Sequence, residues 1–347
     1  MHVAPVLYLC RLTMGLFAGF PQPTEPLCRL RLSGHNRGMR ARLPSVRRWL
    51  RGFGRVADPR ISLASLAAVA LAAAVAAKHG HWAPQWLVAV IAGIFALEWA
   101  KNASGEIFDF RSGVDAAVAP KDRSPFSGGK RVLVDGMLTV GETRSISLVG
   151  YALCALVGGV IAVFREPLAL PLGLIGAALA YYYHAPPLQL AYRGFGELAV
   201  FVAYGPLLTV GTYRVLATSW SAEVLWISLV YGLLVAAFLW INEFPDFEAD
   251  RSAGKRTCVV RLGKRRAAVV FAFLCAGAWL GFLVALLWAL PRLVALGLAG
   301  AFFSLRASLQ LLRAGEATPA IIPAQKDTLV AFVVFALGVS LGCLGSR

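Results

Sequence analysis

Nine apolar stretches, each about 17 to 25 residues long, leave a chain of 347 residues few ways to fold. They lie near 61–78, 84–103, 145–164, 167–184, 196–216, 222–242, 266–288, 290–312 and 328–345. Inside lipid a helix satisfies its own backbone. A soluble chain with 58% hydrophobic and 15% charged residues would lack the polar surface to cover itself. The expected fold class is therefore an all-α membrane protein, nine transmembrane helices around a central cavity, embedded in the lipid bilayer. Connections as short as Arg165–Glu166 and Ala289–Arg292 require tight helical hairpins.

Charge orients these spans. The chain has 34 Lys and Arg against 18 Asp and Glu, a net charge of +16. An odd number of spans puts the long connections 104–144 and 243–265 on one side, together with Lys101, Arg193, Arg266, Arg313 and Lys326. That side collects seventeen cations, whereas the other has five: Lys78, Arg165, Arg214, Arg292 and Arg347. The positive-inside bias makes the richer side cytoplasmic, which implies a bacterial-type inner membrane protein. The same bias accounts for the positive charge without nucleic acid, and nothing implies a protein partner.

Residues 1–58 read as a basic, disordered N-terminal extension, and 59–347 as the membrane domain. Residues 29–60 hold ten arginines and one acid, Asp58, as suits a segment lying on anionic lipid. The apolar run Val3 to Phe20 is interrupted by Arg11 and Thr13, and Met39 is an alternative start. The six cysteines show no paired spacing and read as apolar filler.

The acids are grouped. Glu106, Asp109 and Asp115 follow one span, and Asp246 and Asp250 follow another. Separations of three and four residues place Glu106 with Asp109, and Asp246 with Asp250, on single helix faces. Gly113 breaks the first helix and lets Asp115 fold back. Two such faces suit Mg²⁺, which commonly binds a few carboxylates together with phosphate oxygens. Behind the second face come Gly254, Lys255 and Arg256, cations placed for the far side of a phosphate. A third segment, Tyr181 to Glu197, contains tandem prolines and tyrosines, among which Tyr183 is the best candidate to face a substrate. A transporter would carry its charges deep inside the spans, whereas here they sit at span ends.

These segments resemble the UbiA superfamily of intramembrane prenyltransferases, and within it the 1,4-dihydroxy-2-naphthoate polyprenyltransferases. The family's first motif has the form NDxxDxxxxxD, and this chain is similar to it at Asp109, Gly113 and Asp115. Its RSPFSGG-like loop appears at 123–129, and its second motif, NxxxDxxxDxxxGKxTxxVRLG, runs from Asn242 to Gly263. The likeness extends through Tyr192-Arg-Gly-Phe-Gly-Glu197 and covers roughly 60–347. In one departure, Gly105-Glu106 replaces the family's Asn-Asp pair, with Asn102 one turn earlier as a substitute amide.

The resemblance implies a Mg²⁺-dependent enzyme. It would transfer a polyprenyl group from an allylic polyprenyl diphosphate to an aromatic acceptor, 1,4-dihydroxy-2-naphthoate in menaquinone biosynthesis. Other expectations are a different acceptor, 4-hydroxybenzoate or homogentisate, and a degenerate homologue without turnover. The implied catalytic residues are Asp109, Asp115, Asp246 and Asp250, which with Glu106 would hold the metal. Asn102, Lys121, Arg123, Tyr183, Arg193, Asn242, Lys255 and Arg256 are the implied substrate contacts.

Overall fold

The computed structural model describes residues 46–314 and 317–346. Most of the expected extension, with the Val3–Phe20 run and Met39, lies outside the described residues.

Among the described residues every regular element is helical. The described residues begin with α1 (Val46–Ala57) and α2 (Pro59–Lys78). It then runs through α3 (Pro84–Ser112), α4 (Val140–Phe164), α5 (Ala169–Tyr182), α6 (Gly196–Ala217), α7 (Ala222–Ser252), α8 (Lys264–Trp288), α9 (Arg292–Arg313) and α10 (Thr318–Gly345). Seven of these, α3, α4 and α6 to α10, are long and apolar enough to cross a membrane. α1 and α2 form a pair bent by 51°, and α5 is a shorter apolar helix of 14 residues. The chain is a multi-pass membrane protein.

α7 is the central helix. Ile227, Val230, Tyr231, Leu234, Ile241 and Phe244 are buried along it, in one core with Leu71 of α2, Phe271 and Phe282 of α8, and Phe332 and Phe335 of α10. α6 bends at Gly205, where a side chain would collide with the Ser228 carbonyl and the Gly232 backbone of α7. Glycine at that crossing lets the two backbones touch.

Two of the long helices extend past the stretches read from hydropathy. α3 continues to Ser112 and α7 to Ser252, through Pro245, so both acidic segments are helical extensions of spans. Gly113 ends α3 in the left-handed region at φ 79°, followed by the short helix Val114–Ala117. Thr139 and Glu142 then form a reciprocal capping box at the start of α4.

Residues 46–57, part of the extension read as disordered, form the helix α1. Trp49, Phe53 and Val56 fall on one face of α1, with Arg47, Arg51 and Arg55 exposed. Trp49 stacks on Phe53 and Phe53 meets Trp99 edge-on, both with centroids 5.2 Å apart. Val56 is buried among Ala103, Ile107, Val132, Leu138 and Ile146. The apolar spacing that ties α1 down is hidden in the sequence by its arginines.

Candidate functional site

The ends of α3 and α7, the loop 114–139 and the loop 183–193 enclose a cavity of about 420 Å³. Asp109, Asp115, Asp246, Asp250 and Lys255 all line it, so the two acidic clusters, far apart in sequence, meet in space. Tyr183, Asn242, Asn102 and Glu106 line it as well.

Each group is held by its own element. Asp109, on the last turns of α3, accepts from the Tyr192 hydroxyl at 2.7 Å, and His184 Nε2 stands 3.5 Å from its other oxygen. Asp115 is turned inward by Gly113, and the 124–130 loop passes so close that any side chain at Gly129 (φ 72°) would strike its carboxylate. Arg131 donates to the Asp115 main-chain carbonyl. On α7, Asp246 faces the Gly128 backbone N–H. Asp250 pairs with Lys255 Nζ at 3.3 Å. Asn242 accepts from Gln325 of α10 at 2.9 Å.

The electrostatics are those of a site short of positive charge. Burial, then Asp109 and Glu106, push the Asp115 carboxyl up to about 8. Burial pulls the Lys255 ammonium down, but Asp250, Asp109 and Asp246 outweigh it and hold it well above the ordinary lysine value. Burial takes His184 down to about 4 against the pull of Asp109, so its imidazole is neutral.

Among the described residues no three His, Cys, Asp or Glu side chains stand close enough to hold a metal ion unaided. Yet Asp115 Oδ2, Asp246 Oδ1 and Glu243 Oε2 are buried acceptors without a donor. Buried oxygens in that state are costly unless a cation or donor arrives. The donor set is all oxygen and only partly assembled, which fits Mg²⁺ sharing its coordination with phosphate oxygens.

Several sequence candidates stand elsewhere. Lys121, Arg123, Arg193 and Arg256 are exposed and do not line the cavity. Arg193 and Arg256 serve through their carbonyls, which accept from Arg261 at 2.7 and 3.0 Å. Asn102 lines the cavity, but its amide donates to the Val56 carbonyl at 2.9 Å and so fastens α1. Glu106 Oε1 accepts from the Leu133 backbone N–H at 3.0 Å, because its longer side chain reaches the loop.

The structure adds residues that sequence reasoning passed over. Lys101 lies over the Tyr183 ring at 5.0 Å, and both line the 420 Å³ cavity and a second, mostly apolar one of about 240 Å³ between α3, α4, α5 and α6. A cation within an apolar span was the available signal. Glu243 and His184 complete the wall; the sequence shows Glu243 only as a neighbour of Asn242, and reads His184 as a loop-end hydrogen-bonder rather than a base.

The carboxylate-walled cavity thus stands at the ends of membrane helices, beside an apolar pocket with which it shares Lys101, Tyr183, Val200 and Tyr204. The chain belongs to the UbiA prenyltransferase family, which matches residues 66–326. It is 31% identical over 303 residues to the 1,4-dihydroxy-2-naphthoate octaprenyltransferase of Mycobacterium tuberculosis, covering 86% of this chain and 97% of that protein. It is 30% identical over 190 residues to the 2-carboxy-1,4-naphthoquinone phytyltransferase of Synechocystis, covering 54% and 57%. Its fold is similar to that of a UbiA homologue from Aeropyrum pernix K1, with a TM-score of 0.63 at 19% identity over 80% of this chain and 97% of the other. A homologue from Archaeoglobus fulgidus bound to GPP and Mg²⁺ aligns with a TM-score of 0.59 at 18% identity, over 82% and 99%.

Proposed function

We propose that this prenyltransferase moves a polyprenyl group from an allylic diphosphate to 1,4-dihydroxy-2-naphthoate in menaquinone biosynthesis, and that it requires Mg²⁺. The reading is supported above all by one observation: Asp109, Asp115, Asp246 and Asp250 converge with Lys255 on a cavity that adjoins an apolar pocket. The names of the relatives point to a naphthoid acceptor.

In this reading the four aspartates hold Mg²⁺, which when bound neutralises charge on the departing diphosphate as a Lewis acid. Lys255, fixed against Asp250, offers its ammonium to the same oxygens. The C1–O bond of the prenyl diphosphate breaks and its electron pair leaves on the diphosphate. Tyr183 lends an electron-rich face to the allylic cation, and the apolar lining of α3 to α6 keeps water from it. A ring carbon of the acceptor then supplies the electron pair of the new carbon–carbon bond, and its carboxyl group departs as CO₂ and a proton.

The same reading counts the bent α1–α2 pair and α5 as spans beside the other seven, giving nine, with the carboxylate cavity facing the cytoplasm. The test is turnover of the purified protein in lipid with a long-chain prenyl diphosphate, with and without Mg²⁺, over a panel of aromatic acceptors. Mg²⁺-dependent formation of a prenylated naphthoquinol is expected. Product with 4-hydroxybenzoate or homogentisate alone would replace the acceptor and keep the chemistry, and diphosphate release with no acceptor or metal dependence would sink the reading.

A further inference from the structure

Gly105 and His184 form a steric pair. Gly105 lies on the buried face of α3, one turn before Asp109. A Cβ at that position would stand 2.7 Å from both Cε1 and Nδ1 of the imidazole, and 3.3 Å from its Cγ. The ring therefore occupies the volume that any side chain at 105 would need. On its other side it meets Tyr183, with centroids 4.8 Å apart.

Lodged in this way, the ring aims Nε2 at Asp109 Oδ2 from 3.5 Å. The Tyr192 hydroxyl takes the other oxygen at 2.7 Å. One loop thus brackets both oxygens of a single carboxylate. Nδ1 is buried against the glycine and has no partner. The tautomer protonated on Nε2 puts the donor where the acceptor is and leaves only a lone pair at Nδ1, the cheaper group to leave unmatched.

We propose that His184 is a positioning residue for Asp109, and that residue 105 is glycine because the imidazole takes the place of its side chain. A carboxylate hydrogen-bonded at one oxygen and faced by an imidazole nitrogen at the other keeps one rotamer, so its remaining lone pairs point one way. Outer-shell partners of metal-binding carboxylates typically govern affinity by 10- to 100-fold. The proposal rests on the reading of Asp109 as a Mg²⁺ ligand. It also changes the meaning of the Gly105 departure, from the loss of a polar side chain to its relocation onto the 183–193 loop.

The test is Mn²⁺ affinity, read by electron paramagnetic resonance in detergent with an unreactive prenyl thiolodiphosphate present, alongside thermal midpoints. His184→Ala should weaken Mn²⁺ about tenfold, and His184→Gln should recover most of it. Gly105→Ala, which touches no ligand, should match His184→Ala, and the double variant should be no weaker than either single one. Wild-type affinity in His184→Gln and His184→Ala, or penalties that add in the double variant, would overturn the proposal. If His184→Ala does not fold, His184→Gln and Gly105→Ala carry the comparison. Absence of Mn²⁺ binding in the wild type would instead sink the metal reading, and this proposal with it.

Discussion

The bundle buries carboxylates at both ends and treats them in opposite ways. At the end away from the cavity, Glu223 receives Lys78 at 2.8 Å and His79 at 3.2 Å, and His79 in turn meets the Tyr213 hydroxyl. Glu166 receives Arg214 at 2.6 Å, and Arg165 donates to the carbonyls of Val215 and Leu216. Each acid there is matched by a cation of this chain. At the cavity end, Asp115, Asp246 and Glu243 keep oxygens that nothing satisfies. A buried pair that closes on itself fastens helices together, whereas a buried acid left open spends folding energy on a ligand.

The largest effect should come from the open end. Asp246→Asn removes one of three carboxylates that share Lys255 as their cation. Turnover should fall roughly a thousandfold while the thermal midpoint holds or rises. Normal turnover would end the metal assignment. Next comes the closed end: Glu223→Gln strands Lys78 and should cost about 3 kcal/mol in denaturation while sparing kcat/KM of the folded fraction. A loss of activity without a loss of stability would reverse the comparison.

A smaller effect is pH-dependent. With its pKa raised to about 8, Asp115 carries a proton below that value, and metal must displace it. Affinity for Mg²⁺ should therefore rise up to tenfold per pH unit between 6 and 8 and then level off, and Asp115→Asn should flatten the slope. Without metal the sign reverses for stability. The raised pKa contributes stability fully below the ordinary aspartate value, and that contribution is lost as pH climbs through 8. The smallest effect is expected for Arg55→Ala, whose pair with Asp135 is well exposed and should be worth about 0.5 kcal/mol or less by chemical denaturation.

Legibility from sequence followed the range of the interactions. The pairing of Asp246 with Asp250 is set by helix periodicity over four residues, and the inward turn of Asp115 by the glycine two positions before it. Both could be read in advance. The direction of a cation could not. Lys255 enters the cavity and Arg256 does not, because Gly254 takes φ 75° and the Lys255 N–H folds back onto the Asp250 carbonyl. Lys121 and Arg123 likewise follow loop geometry. The roles of Asn102, Glu106 and His184 depend on partners 27 to 75 residues distant and leave no local periodic trace.

α1 also carries a consequence for how the protein is made. It is 12 residues long, and a helix that short is marginal by itself. Its anchors come much later in the chain: Trp99 for Phe53, Asn102 for Val56, Lys130 for Asp58, Asp135 for Arg55 and Glu142 for Arg48. During synthesis this helix is made before all of these partners, so it can dock only once α3 and the start of α4 have emerged. The part of the cavity wall that Gly54 and Arg55 supply is thus translated before the segments that hold it in place.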